Sequence, residues 1–233
     1  MESYLISERL NQVREEISMA EKKSGRPPGS AKLIAVSKTF EKEFILEAIQ
    51  SGCLTFGENR IQEAKDKIEA IGRNQVKWHF IGHLQKNKVK FIYDLFDLIH
   101  SVDSFELGQA IHQGAKTRGV IIPALIQVNI ASEVTKSGTE PSHLEELLNK
   151  LSNLSGLQIK GLMTIPPLNS DPEKSRQYFA QLRELRDKMV RSNIANIELN
   201  ELSMGMSGDY KIAIEEGATF VRVGSAIFGK RTN

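Results

Sequence analysis

The first group in this chain that could do covalent chemistry is a lysine at the end of an apolar run. Residues 32–40 read Lys32-Leu33-Ile34-Ala35-Val36-Ser37-Lys38-Thr39-Phe40. Leu33 to Val36 have the unbroken apolar character of a strand buried on both faces. Lys38 follows where such a strand gives way to a loop. Apolar walls disfavour an ammonium, and a partly neutral amine is a nucleophile able to form a Schiff base with an aldehyde. Taken alone, this stretch reads more plainly as an ordinary strand-end lysine reaching into solvent.

A second concentration lies near the other end of the chain. Ser203-Met204-Gly205-Met206-Ser207-Gly208-Asp209 is a run of small residues just ahead of a predicted helix, and Gly224-Ser225 closes the last apolar run. Two such loops side by side present backbone N–H groups and hydroxyls that can cradle a phosphate without a lysine. The same glycines would also serve plain tight turns. Arg222 sits inside Phe220-Val221-Arg222-Val223. An arginine in a buried strand is rarely left unpaired. Its partner is either a carboxylate such as Glu201 or a ligand held by the adjacent glycine loop. Lysine, phosphate cradle and arginine together are the set that pyridoxal phosphate uses: amine for the aldehyde, loops for the phosphate, arginine at the pyridine nitrogen.

These groups need a scaffold that brings residue 38 next to residues 203–225. Residues 3–23 carry Ile6, Leu10, Val13, Ile17 and Ala20 at helical spacing. The breaker Ser24 to Gly29 ends that helix. Strands are then predicted at about 32–37, 54–57, 76–81, 98–101, 121–130, 159–163, 197–202 and 220–223. Each is followed by a helix, including one at about 85–93, one capped by Ser104 and a long one at about 172–192. Eight strand-helix units at a spacing of roughly 20–30 residues fit a closed (β/α)8 TIM barrel. An open doubly wound sheet is the runner-up, but no Gly-x-Gly-x-x-Gly follows the first strand. No linker divides the chain, so residues 1–233 read as one domain, with residues 1–30 a helix and linker packed on the barrel.

Working residues of such barrels lie at the carboxyl ends of the strands. Here those ends carry Lys38, Asn59, His79, Ser101, Asn129, Met163, Thr164, Ser203 to Ser207, Arg222, Gly224 and Ser225. Singly they have plainer readings: Asn59 as a helix cap, His79 as a hydrogen-bonded rim residue, Met163 as packing. Phosphate sites in these barrels favour the loops after strands seven and eight, where the two small-residue segments stand.

Composition narrows the class. The 233 residues are 40% apolar and 26% charged with a net charge of +2, which suits a globular protein and gives no basic surface for nucleic acid. The single cysteine, Cys53, excludes an internal disulfide and points to a reducing compartment. No stretch approaches the length of a membrane span, and the first residues have no apolar core fit for export. The expectation is a cytoplasmic protein.

Several segments resemble the pyridoxal phosphate homeostasis proteins. They are Ile34 to Thr39, Phe56-Gly57-Glu58-Asn59-Arg60, Trp78 to Lys88, Gly161 to Thr164, Leu202 to Asp209 and Val221 to Gly229. That family is similar to the amino-terminal barrel of alanine racemase, fold type III among pyridoxal phosphate proteins, here without a second β domain. The resemblance implies pyridoxal 5'-phosphate held as a covalent aldimine on Lys38, phosphate contacts from Ser207, Gly224 and Ser225, with Ser203 in the same segment, and Arg222 at the pyridine nitrogen. It places Asn59, His79 and Met163 along the pocket. Phe40 departs from the pattern, since many members have lysine then proline there. The resemblance further implies a monomeric carrier that buffers or delivers the cofactor, with apo pyridoxal phosphate enzymes or a regulatory protein as partners, rather than an efficient racemase. In alanine racemase the second base is a tyrosine from another domain. Tyr4, Tyr93, Tyr178 and Tyr210 here all fall on predicted helices. An amino-acid racemase or lyase is the alternative, and a phosphate-sugar isomerase with Lys38 as base a weaker one.

Overall fold

The computed structural model describes residues 3–133, 136–167, 169 and 171–229. Eight parallel strands close into a barrel in sequence order. They are β1 (Lys32–Val36), β2 (Thr55–Glu58), β3 (Lys77–Phe80), β4 (Leu98–Val102), β5 (Ile122–Gln127), β6 (Leu157–Met163), β7 (Ile197–Met206) and β8 (Phe220–Val223). The ring closes between β1 and β8, with Ile34 opposite Arg222. That register brings the two ends of the chain's chemistry together: Lys38 and the Arg222 to Ser225 segment leave adjacent strands.

The helices are α1 (Ser3–Lys23), α2 (Lys42–Gln50), α3 (Ile61–Ile71), α4 (Phe105–Arg118), α5 (Leu144–Leu151), α6 (Arg176–Arg191), α7 (Tyr210–Glu215) and α8 (Ser225–Phe228). Ser104 caps α4 as expected, its Oγ accepting from the Leu107 N–H at 3.4 Å. Helix α1 buries Ile6, Leu10, Val13, Ile17 and Ala20 and packs on α7, α8 and α2. Burying a large aliphatic side chain contributes about 1.5–3 kcal/mol, so four of them make α1 an integral part of the barrel wall. Tyr210 Oη donates to Glu16 Oε2 at 2.5 Å and fastens α7 to it. Buried Glu21 accepts from the N–H groups of Gly29 and Ala31, which aims the linker into β1. The domain expected over residues 1–233 includes residues 1, 2, 134, 135, 168, 170 and 230–233, which lie outside the described residues.

Three local expectations are corrected. The segment after β3 is a 3-10 stretch, Lys86–Phe91, not an α-helix. Only Val89 of its six residues is buried, so it has one anchor rather than a stripe. Tyr93 accordingly falls in a turn. Strand β5 stops at Gln127 although the apolar run continues to Ile130. There the chain leaves the ladder, and the Asn129 N–H donates to the Thr139 carbonyl at 2.9 Å. Strand β7 runs on to Met206 through residues expected to be loop. Ser203 faces Phe220 and Met206 faces Arg222, so three steps on β7 match two on β8. Gly205, at φ +88°, lies within this bulge. A Cβ there would come within 2.5 Å of Ala213 Cβ.

Strand alternation sorts the barrel interior into layers. Ile34, Leu98, Leu125, Met163 and Phe220 form a separate apolar plug. Val36, Gln127, Ile165 and Arg222, each two residues further along, line a cavity above it. The plug is therefore the floor of the functional mouth.

Candidate functional site

The cavity occupies the carboxyl end of the barrel and measures about 850 Å³, within the usual range of small-molecule sites, about 300–1,000 Å³. Every strand end except that of β4 contributes to it. Lys38, Asn59, Ser207, Arg222, Gly224 and Ser225 all line it. Asn59 is not a helix cap, because Arg60 holds the position before α3 and no side chain caps it. A Cβ on Gly82 would lie 2.3 Å from the Asn59 carbonyl oxygen, so only glycine lets β3 pass this close to Asn59.

His79, Met163 and Ser203 are not on the lining. Met163 belongs to the plug, and His79 and Ser203 are buried in the interior beneath Arg222. Ser203 and His79 belong to a buried polar chain with Arg222 and His100 that starts at arginine, which can only donate. Arg222 Nη1 donates to Ser203 Oγ at 2.6 Å. Ser203 Oγ lies 2.9 Å from His100 Nδ1. His100 Nε2 lies 3.0 Å from His79 Nδ1. One nitrogen of that last pair must be unprotonated, so at least one of the two imidazoles is neutral. Burial holds His79 down to about 4. Burial, then the neighbouring His79 and Arg222, keeps His100 well below its ordinary value.

Arg222 also donates through Nη2 to the Thr164 carbonyl at 2.9 Å. It makes no ion pair among the described residues. The carboxylate suggested by sequence, Glu201, is taken by Lys32 at 2.8 Å. Burial pushes the guanidinium down to about 10, with Asp209 acting the other way. It is thus a buried cation at neutral pH, at the wall of a cavity, held by neutral groups.

The corner expected to take a phosphate is built from both loops. Ser207 Oγ accepts from the Gly224 N–H at 3.1 Å and from the Ala226 N–H at 3.4 Å. The N–H groups of Gly208 and Ser225 have no hydrogen-bond partner among the described residues. A Cβ on Gly208 would meet nothing within 4 Å. Small residues, two hydroxyls and free backbone donors on the same cavity as a cationic arginine fit an anionic ligand.

Sequence reasoning missed other lining groups. Phe40 packs between Phe44 and Phe228, with ring centroids 5.6 and 5.1 Å away, and walls the cavity beside Lys38. His83 and Lys136 stand at the mouth. Lys136 Nζ is bonded to Glu133 Oε1 at 2.6 Å and to the Pro166 carbonyl at 3.2 Å. His83 Nδ1 lies 3.3 Å from Ser137 Oγ and 3.9 Å from Asp103 Oδ2. Placement just past the end of β3 was the signal for His83.

The family model described as "Alanine racemase, N-terminal domain" matches residues 9–232. The pyridoxal phosphate homeostasis protein of Aquifex aeolicus strain VF5 is 46% identical over 224 residues, 96% of this chain and 97% of its own. That of Escherichia coli strain K12 is 38% identical, with 97% of each chain covered. Among solved structures, PipY of Synechococcus elongatus PCC7942 with PLP bound is 37% identical with a TM-score of 0.83, covering 96% of this chain and 100% of that one. The alanine racemase of Clostridium difficile 630 shares the fold at 14% identity, TM-score 0.76, with 98% of this chain covering 57% of that one.

Proposed function

The chain belongs to the family of the alanine racemase N-terminal domain and of the pyridoxal phosphate homeostasis proteins, and from that premise we propose that its cavity binds pyridoxal 5'-phosphate (PLP) and that it serves PLP homeostasis. The observation that carries this reading is Arg222: a buried guanidinium, without an ion-pair partner among the described residues, on the same cavity wall as Lys38. The names of the relatives and the PLP in PipY support it.

Lys38 is the covalent anchor, its amine condensing with an aldehyde and releasing water. Ser207, Gly224 and Ser225, with the Gly208 N–H, receive the phosphate. Arg222 faces the ring nitrogen, and Asn59 and Phe40 bound the ring from the β1–β2 side. His79 and Ser203 act through Arg222, and Met163 supports the floor. When bound, PLP supplies an aldehyde for amine capture and a ring that delocalises negative charge.

In this reading the chain is a carrier working in the cytoplasm as a monomer and handing PLP to apo-enzymes. No helix among the described residues is long and apolar enough to cross a membrane. No described tyrosine side chain lines the cavity. Tyr93 Oη donates to the Ile111 carbonyl at 3.0 Å, Tyr210 is bonded to Glu16, and Tyr178 is half-buried on α6. Tyr4 has only its backbone described. One observation favours an amino-acid racemase or lyase instead: His83, an acid–base group at the mouth near Asp103.

The test is the visible spectrum of purified protein after dialysis against PLP-free buffer. Wild type is expected to keep a lysine-dependent absorbance that borohydride bleaches, and Lys38→Ala to lose it. A borohydride-fixed adduct that survives in Lys38→Ala would move the anchor to another lysine.

A further inference from the structure

The residues on either side of Lys38 are held by one buried cluster centred on Lys67 of α3. Lys67 is 8% exposed. Its Nζ donates to the Ser37 carbonyl at 2.7 Å, to Glu58 Oε1 at 2.9 Å and to Glu63 Oε1 at 2.6 Å. An ammonium has three N–H groups, so these acceptors use all of them. The Ser37 hydroxyl donates to the same Glu58 oxygen at 2.7 Å. The Thr39 N–H donates to the same Glu63 oxygen. The residue before Lys38 is thus tied by its carbonyl and its hydroxyl, and the residue after it by its N–H, to groups that all meet at Lys67.

Two further facts bear on what the cluster is for. Thr39 has φ +70°, a conformation that a β-branched residue keeps only when its surroundings impose it. Glu58 is fully buried, its Oε2 has no hydrogen-bond partner among the described residues, and burial pushes its carboxyl upward. Buried ion pairs of this kind are weak sources of stability, since apolar residues of similar volume often do as well. What they supply is direction, and here the direction is imposed on the backbone that carries Lys38.

We propose that Lys67 is a positioning residue for Lys38: its ammonium, with Glu58 and Glu63, clamps Ser37 and Thr39 so that the Lys38 side chain leaves β1 into the cavity. The consequence for ligand retention rests on the PLP reading above, while the clamp itself does not. Full-length wild type, Lys67→Met, Lys67→Arg and Glu63→Ala are compared by backbone hydrogen exchange and by the rate at which bound PLP is lost to a scavenging apo-enzyme.

In Lys67→Met the amides of residues 37–41 are expected to exchange about tenfold faster while those of α4 are unchanged, as for local opening without global loss. PLP loss is expected to quicken about tenfold, with Lys67→Arg, which restores a buried donor cation, recovering most of both effects. Glu63→Ala, which frees the Thr39 N–H and takes from Lys67 the most exposed of its three acceptors, is expected to give about threefold. It decides the matter if Lys67→Met does not fold. Unchanged exchange at residues 37–41, or a rise shared equally with α4, would overturn the clamp. If wild type holds no PLP, the functional reading fails, and the exchange data still decide the clamp.

Discussion

Arg222 and Ser203 meet at 2.6 Å inside the barrel, and the serine passes the arginine's polarity on to His100. The guanidinium is therefore oriented from below, which leaves its remaining edge for the cavity. Ser203→Ala removes the acceptor from a buried cation and the hydroxyl partner from a buried imidazole. A hydrogen bond to a charged group contributes about 1.5–3 kcal/mol, so urea unfolding of the PLP-free protein is expected to lose about 2 kcal/mol. A change below about 0.5 kcal/mol would mean that Ser203 does not hold Arg222.

Ser207 joins the two loops of the proposed phosphate corner through the Gly224 and Ala226 N–H groups. Pyridoxal lacking the phosphate forgoes several charge-assisted contacts. Two of them amount to about 3 kcal/mol, or roughly a hundredfold in affinity. Ser207→Ala is expected to cost less, about tenfold, because backbone donors remain. Equal affinities for pyridoxal and PLP, read by equilibrium dialysis, would remove the phosphate from this corner.

His79 is held neutral by burial, with its pKa lowered from 6.5 to about 4. The unfolded chain binds a proton near pH 6.5 that the folded chain refuses until about pH 4. The stability this group contributes is present above pH 6.5 and is lost as pH falls between those values. The window corresponds to roughly 3 kcal/mol at 1.36 kcal/mol per unit. His100 adds in the same direction, and Glu58, with its pKa raised, works the opposite way at low pH. Urea midpoints measured from pH 7 to pH 4.5 should therefore fall steeply, and less steeply in His79→Gln. Equal slopes in the two proteins would mean that His79 is not the titrating group.

The barrel and half of the mouth were legible because their signals are local. Continuous apolar runs marked the strands, and strand ends marked Lys38, Asn59, Ser207, Arg222 and Gly224 as neighbours. Depth within the barrel was not legible. His79, Met163 and Ser203 sit at the ends of apolar runs like the lining residues do, but the register between strands leaves them lower. For Ser203 the strand runs on through a bulge at Gly205, which looks like a loop in the sequence because glycine and serine carry no strand preference. The Lys67 cluster was invisible for a related reason. Glu63 and Lys67 read as a surface i,i+4 pair, and only the fold turns them inward to meet Glu58.

Racemisation removes the α-proton from one face of the substrate and returns it to the other. It needs two acid–base groups, the second within about 3 Å of the far face or one water away. If Lys38 is one, the lining offers Lys136, Asp209 and His83 as the other. Lys136 Nζ is engaged by Glu133 and the Pro166 carbonyl. Asp209 accepts from the Met206 N–H at 2.7 Å, which ties it to the turn after β7. His83 is the group left, and its side chain is 57% exposed. A proton on so open an imidazole exchanges with solvent and is poorly aimed. In the proposed pose Arg222 would work against carbanion chemistry as well, since a fixed cation opposite the ring nitrogen disfavours its protonation. Solvent deuterium incorporation at the α-carbon of L- and D-alanine, serine and threonine is therefore expected to proceed no faster than with free PLP. It should also be the same in wild type and His83→Gln. Rapid exchange with inversion, abolished by Lys38→Ala and by His83→Gln, would make this chain a racemase with His83 as its second base.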